Sequence, residues 1–335
     1  MSVYANLHFA LEGLRPAATL GTGASNNSNP TSRGPCVLVL GPKDSGKTSL
    51  CKILTSYACK QQRFPMLVNL NPSEGVFTVP GTLSAAPVSD ILDVEQGWGE
   101  SQINGPAHLH PKQPYAHFYG LESPLTNVNY YKHVISRLAL AVSSRLDKDE
   151  VVAGSGVIID TPSTLMERDP GHSIVSSIVA DFNVTAIVVV GHERVYSEMV
   201  KRFKDKKTVS VIKVVKSGGC VERDASYLRS LQSRSIHDYF YGSFKQNLSP
   251  YTVTVDFSAV KVYRIAEESA LQNTSVLPIG EDEVSAVTKD PASEYLVPLE
   301  PSTILQNCVM AVLNASREDS IPSLVESEVL GFVHV

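Results

Sequence analysis

The run Gly41-x-x-x-x-Gly46-Lys47-Thr48 constrains this chain more than any other feature, because it is the phosphate-binding P-loop pattern. Its glycines permit a tight backbone wrap in which successive N–H groups converge on phosphate oxygens. The start of the following helix adds partial positive charge. The pattern demands a strand before it and a helix after it. Val37-Leu38-Val39-Leu40 reads as a buried strand, and Thr48 to Lys60 as a helix with Leu50, Ile53, Leu54 and Tyr57 on one face. Gly41, Asp44, Ser45, Gly46, Lys47, Thr48 and Ser49 are therefore the candidate nucleotide-binding residues. In this setting Lys47 reaches the β- and γ-phosphates and Thr48 ligates Mg²⁺. The loop alone does not choose the base.

The alternation of strand and helix continues from there. Pro65 to Leu70 reads as the next strand, which completes a βαβ unit of a parallel sheet. Asn129 to Leu146 places Tyr130, Val134, Leu138 and Val142 at helical spacing. Gly156 to Asp160 reads as a strand, His172 to Phe182 as a helix and Thr185 to Val190 as a strand. Glu193 to Lys204 follows as a helix, Val209 to Val215 as a strand and Tyr227 to Tyr239 as a helix. The predicted fold is α/β: a P-loop NTPase-like, mostly parallel sheet flanked by helices. Pro72 to Leu121, rich in Pro and Gly, reads as loops and short strands wrapped over the C-terminal edge of the sheet.

Both ends of the chain read differently. Leu7, Ala10, Leu11 and Leu14 predict a leading helix within 1–15, and the Ser-, Asn-, Gly- and Pro-rich stretch 16–35 predicts a flexible linker. Residues 36–243 form the P-loop domain in this reading, and 244–335 a small, mainly β C-terminal domain. Tyr251 to Phe257 and Val260 to Tyr263 alternate with period two, as antiparallel strands do. Thr303 to Leu313 reads as a short helix. Leu330 to Val335 reads as a strand that stops with the chain, so the C-terminal domain is expected to be incomplete.

Several further residues carry possible chemistry. Asp160 closes a buried strand, as the acid that holds a Mg²⁺ shell does beside a P-loop; an ordinary strand-end Asp capping a turn looks the same. Lys216-Ser217-Gly218-Gly219 stands where this fold class touches a base or ribose, or is a plain turn. Arg223, Arg229 and Arg234 suit a phosphate-neutralising lid, or a solvated helix face. The nine His residues show no metal spacing, and His108, His110 and His117 read as loop residues. The five cysteines show no CxxC pair or zinc spacing. A net charge of −5 excludes a chain-wide basic footprint for nucleic acid. No apolar run approaches about 18 residues, so no membrane span is predicted.

Four stretches in order carry a family resemblance: Asn6-Leu-His-Phe-Ala-Leu-Glu12, Val76-Phe-Thr-Val-Pro-Gly-Thr82, Pro87-Val-Ser-Asp-Ile-Leu-Asp93 and Tyr239-Phe-Tyr-Gly242. Together they resemble the polynucleotide 5′-hydroxyl-kinase-related subunit of the pre-mRNA cleavage and polyadenylation machinery, over residues 4 to 335. The fungal members are similar to an ATP-binding subunit of cleavage factor IA. The resemblance implies ATP and Mg²⁺ as ligands and a nuclear setting. It also implies a second scaffold subunit as partner, with RNA engaged indirectly. It expects a β domain ahead of this chain that helps to clamp the adenine.

The kinases of this family carry a Leu-Asp-x-Gly-Gln-Gly stretch, where this chain has Leu70-Asn71-Pro72-Ser73-Glu74-Gly75. They also place a Trp beyond the strand matching Gly156 to Asp160, where this chain has Thr161-Pro162-Ser163-Thr164; its one Trp is Trp98. An amide cannot take a proton and binds metal more weakly than a carboxylate. The resemblance thus implies a nucleotide that is held rather than consumed. An active RNA 5′-hydroxyl kinase, with Arg229 or Arg234 closing a lid, remains the alternative. A GPN-loop-type GTPase is a further one: Leu40 to Thr48 and Val68 to Pro72 look similar to its opening. No Gly-Pro-Asn tripeptide or guanine-selecting Asn/Thr-Lys-x-Asp motif occurs, however.

Overall fold

The computed structural model describes residues 2–20, 33–89, 114–166, 169–242, 247–267, 295–300 and 302–335, with the backbone alone for 16–20. Trp98, His108, His110, Asp90 to Asp93 and most of the 16–35 stretch lie outside the described residues.

Strand β1 (Cys36–Leu40) is buried along its whole length and sits between two parallel neighbours. Its alternating side chains feed two cores. Cys36, Leu38 and Leu40 enter one; Val37 and Val39 enter the other. A strand covered on both faces needs a continuous apolar run rather than alternation, and Cys-Val-Leu-Val-Leu supplies it. The seven-stranded sheet runs β4-β3-β2-β5-β1-β6-β7. Here β2 is Met66–Asn69, β5 Val157–Asp160, β6 Ala186–Val190 and β7 Ser210–Val214, all parallel to β1.

Helices cover both faces. On one side α3 (Val128–Lys148) and α5 (Pro170–Asp181) bury Tyr131, Val134, Ile135, Leu138, Ile174 and Ile178 against the sheet. On the other, α2 (Lys47–Lys60) buries Leu50, Cys51 and Leu54. Between β5 and α3 lies the short α4 (Glu150–Ser155). Helix α6 (Glu193–Arg202) joins β6 to β7, and α7 (Ala225–Tyr241) follows β7.

The leading helix α1 (Ser2–Leu20) packs on the α2 side. The expected face was Leu7, Ala10, Leu11 and Leu14. The buried face is Tyr4, Leu7, His8, Leu11 and Arg15, while Ala10 and Leu14 are exposed. Arg15 decides the rotation. Its guanidinium is buried, donating from Nε to the Ser155 carbonyl at 2.9 Å and pairing with Glu12 at 2.6 Å. Glu12 also takes Arg63 of the α2–β2 turn at 2.8 Å. The backbone stays helical to Leu20, five residues into the stretch expected as linker.

Three further expectations are corrected. Part of the stretch 72–121 extends the sheet sideways rather than wrapping over it: β3 (Thr82–Pro87) adds antiparallel to β2, and β4 (Tyr115–Phe118) antiparallel to β3. His117 therefore lies in a strand, buried, with burial pushing its imidazole down to about 4. Tyr251 to Phe257 forms no strand. Its alternating Tyr251, Val253, Val255 and Phe257 are exposed, with no ladder partner among the described residues. Alternation offers a face, but a strand also needs a neighbour for its N–H and C=O groups. Thr303 to Leu313 is not a helix: a single 3₁₀ turn precedes β10 (Val309–Leu313). That strand pairs antiparallel with β11 (Val329–His334), while β8 (Val262–Ile265) pairs with β9 (Leu296–Leu299).

Side chains of the central sheet's helices hold these C-terminal pieces. Asn127 caps α3 with its Oδ1 and donates from Nδ2 to the Ala266 carbonyl. The Tyr239 hydroxyl of α7 accepts from the Phe332 N–H of β11 at 3.2 Å, and the two rings meet edge to face. Helix α8 (Ile321–Glu326) reaches Arg137 of α3 through Glu326.

Truncating Arg15 strips a buried carbonyl of its donor and leaves Glu12 short of one cation. Arg15→Ala is expected to cost about 3 kcal/mol of unfolding free energy. The check is urea denaturation, with a lower midpoint at unchanged slope.

Candidate functional site

The site follows from the register. Val39 of β1 lies opposite Asp160 of β5, so the chain leaves β1 into the P-loop beside the end of β5. The Thr161 hydroxyl donates to the Val39 carbonyl at 2.5 Å and pins this junction. Past Gly41 the loop turns back. Asp44 and Gly46 take positive φ, at 54° and 85°. Only the second is a glycine, and there the need is acute: a Cβ would lie 2.8 Å from the Cys220 sulfur. Gly41 is required by closeness, since a Cβ would meet the Ser45 Oγ at 2.7 Å and the Val190 carbonyl at 3.1 Å.

Thr48 and Asp160 come together as expected, with the hydroxyl donating to the carboxylate at 2.5 Å. Burial pushes the Asp160 carboxyl up to about 6; Glu74 adds to the rise, while Thr48, Lys47 and the Thr161 N–H oppose it. Lys47 rests its ammonium on the Pro42 carbonyl at 2.9 Å. Burial pulls this amine down, against the charges of Asp160 and Glu74. Both shifts have one cause: a cradle that solvates neither charge. A divalent cation beside Asp160 and a phosphate beside Lys47 would supply what burial removes. The Ser45 hydroxyl is fully buried without a partner among the described residues. Such an orphan fits a ligand oxygen. The residues present therefore fit a metal-bound nucleotide phosphate.

A polar clamp closes the rim. Arg223, just before α7, donates from Nε to Asp44 Oδ1 at 2.7 Å and from its backbone N–H to Asp44 Oδ2 at 3.0 Å. Its other arm reaches Glu74 Oε1 at 2.7 Å. Burial alone would raise Asp44; these bonds to Arg223 outweigh it and hold the carboxyl below its ordinary range. Gln232 of α7 donates to the Ser73 carbonyl at 3.0 Å. Of the three candidate arginines, only Arg223 reaches the P-loop. Arg229 is exposed, and Arg234 pairs with Asp238 one helical turn away.

The stretch after β2 is organised by its amides. Asn69 donates from Nδ2 to the Asn71 and Glu74 carbonyls and accepts the Asn71 N–H. The Asn71 side-chain oxygen accepts from the Ser73 N–H at 3.3 Å and the Ser73 hydroxyl at 2.8 Å. Glu74 and Gln232 were missing from the candidates read in the sequence, because their roles depend on α7 folding back over residues 71–75. Lys216 to Gly219 forms an exposed loop after β7, and Cys220 beyond it touches the P-loop. No cluster of three or more metal-ligating His, Cys, Asp or Glu side chains occurs among the described residues. No described helix is long and apolar enough to cross a membrane.

Fold and site together define a P-loop phosphate-binding protein on a mostly parallel sheet. Residues 41–242 match the model of the mRNA cleavage and polyadenylation factor CLP1 P-loop, and residues 248–335 that of the pre-mRNA cleavage complex II protein Clp1. The chain belongs to the Clp1 family of mRNA cleavage and polyadenylation factors. It is 40% identical to the factor of Botryotinia fuckeliana over 340 residues, covering 100% of this chain and 70% of that protein. With the factor of Debaryomyces hansenii it shares 41% identity over 353 residues, again with 70% of that protein covered. The fold superimposes on a solved Clp1p–Pcf11p complex with a TM-score of 0.81 and 32% identity, covering 100% of this chain and 72% of that one. A second such structure, matching equally, is described by an extended Pcf11p–Clp1p interface and by ATP loss in a Gly-to-Arg point mutant.

The raised Asp160 carboxyl makes a signed prediction for the nucleotide-free protein. Its value is about 6 when folded against 3.8 as reference, so its stabilising share is complete below about pH 4 and is lost as pH rises through 6. The loss amounts to about 3 kcal/mol. Asp160→Asn is expected to flatten the stability profile between those values and to raise apo stability at neutral pH. Urea midpoints measured across the pH series check both; an unchanged profile in the variant contradicts the assignment.

Proposed function

We propose that this chain is an ATP-binding, non-catalytic scaffold subunit of the nuclear machinery that cleaves and polyadenylates pre-mRNA 3′ ends. ATP with Mg²⁺ is its structural ligand, and a second scaffold subunit is its partner. The nucleotide-binding set is Gly41, Asp44, Ser45, Gly46, Lys47, Thr48 and Ser49, with Thr48 and Asp160 on the metal. Family membership and the Pcf11p complexes of the solved relatives support the setting and the partner. The ATP loss described for a point mutant of a relative supports the ligand.

One observation carries the non-catalytic part. Asn71 stands where the similar kinases carry an acid, and its side-chain oxygen is engaged twice by Ser73. It has no proton-accepting carboxylate to offer an attacking hydroxyl. Arg223, the one candidate lid arginine at the loop, is held by two carboxylates, Asp44 and Glu74. Phosphoryl transfer works through positioned charge, and that charge is committed to the fold here. When bound, ATP and its metal contribute stability by mass action, about 2.7 kcal/mol at 100 times the dissociation constant.

The test uses the whole protein isolated without added nucleotide. Chromatography of the denatured sample is expected to release about one ATP per chain. Lys47→Ala is expected to release almost none and to unfold at lower temperature. Labelled ATP is expected to leave a 5′-hydroxyl oligonucleotide unlabelled. Transfer that Lys47→Ala abolishes would establish the kinase instead, and a nucleotide-free isolate would remove the structural-ligand reading.

A further inference from the structure

The end of α6 and the turn after it carry Lys201, Arg202, Lys204, Lys206 and Lys207 against one acid, Asp205. A net charge of +4 over seven residues stands out in a chain whose total is −5. All five cations are exposed, and only Phe203 between them is buried. The nearby acids of α6 are already used: Glu193 pairs with Lys213, and Glu198 with Arg194 and His172. Among the described residues, no carboxylate pairs with Lys201, Lys204, Lys206 or Lys207. Arg202 donates to the His172 carbonyl, and the Lys206 ammonium stands 5.8 Å over the Phe203 ring.

Cations in the last turn of a helix are favoured by its dipole, which accounts for Lys201 and Arg202. It does not account for Lys204, Lys206 and Lys207. These lie beyond the helix in a turn closed by Lys206 N–H to Phe203 and Val209 N–H to Lys206. The cluster is also not an extended peptide that a carrier could take up, since Phe203 anchors it to the core. Its position is specific. Helix α6 starts after the end of β6 on the P-loop side of the sheet and runs back, so the cluster sits at the opposite edge. A five-residue strand sets that separation at roughly 16 Å or more.

We infer that this cluster is a surface for the phosphate backbone of single-stranded RNA. This rests on the proposed role in pre-mRNA processing and revises the purely indirect RNA contact implied by the family resemblance. Lysines on flexible stems meet phosphates as point charges and read no bases. No exposed aromatic side chain interleaves them, so contact here is without sequence preference. RNA held at this edge also lies away from the nucleotide phosphates, which suits a subunit that positions RNA without phosphorylating it.

The test is fluorescence anisotropy of a labelled oligouridylate of about 15 nucleotides with the full ATP-loaded chain, from about 50 to 200 mM salt. Four or five phosphate contacts give a log–log salt slope of about −3. The triple variant Lys204→Ala, Lys206→Ala, Lys207→Ala is expected to bind at least ~10-fold more weakly, with a slope shallower by about 2. Its ATP content and thermal unfolding are expected to stay unchanged. Equal affinity and slope in the variant overturn the inference. Tighter binding of a glutamate-rich peptide of matched charge also overturns it, in favour of an acidic protein partner. Failure here with ATP retained leaves the scaffold reading standing; phosphate transfer in the same samples would sink that reading separately.

Discussion

Everything at the site depends on β1 being paired on both sides. Because β1 takes β5 and β6 as parallel neighbours, the turn that leaves it opens beside the last residue of β5. That register delivers Asp160 to Thr48 across 112 positions of sequence and buries its carboxylate. The apolar run that buries β1 is thus also what perturbs the acid. Hydrophobic burial builds the cradle, and the same burial leaves it short of charge.

A second layer of polar contacts converts this cradle into a closed one. Asp44, Glu74 and Ser73 belong to loops with little apolar surface, and all three are tied to α7 or to the chain just before it through Arg223 and Gln232. Fixing Asp44 at positive φ costs backbone energy, of order 1–3 kcal/mol. Its paired hydrogen bonds to Arg223 offset that cost. The amides at 69 and 71 serve the loop after β2 in the same way, by satisfying backbone groups that no strand or helix reaches.

How much of this was legible in the sequence follows from the range of each interaction. The P-loop, the strands at Val37 to Leu40 and Gly156 to Asp160, and the α3 face of Tyr130, Val134, Leu138 and Val142 rest on local pattern, and they appear within a residue of where the pattern puts them. The face of α1 does not, because Arg15 turns inward for a carbonyl 140 residues away. Val309 to Leu313 is apolar enough for helix or strand; pairing with β11 decides it. Tyr251 to Phe257 shows the reverse, a strand pattern with no neighbour to pair with among the described residues. Of the candidate site, Lys47 and Thr48 were read from the P-loop spacing and Asp160 from its place at the end of a buried strand. Arg223 was one of three equivalent candidates until the chain folded α7 over the loop.

Helix α7 has one more property, set by its length. Seventeen residues make a rod of roughly 25 Å. Its start is fastened to the P-loop rim through Arg223, its middle to the loop after β2 through Gln232, and its last turn to β11 through Tyr239. A rod pinned at both ends works as a gauge block: it holds two distant parts at a fixed spacing. The C-terminal hairpin is thereby built to a dimension measured from the P-loop, and an inserted or deleted turn in α7 would put one of the two out of true.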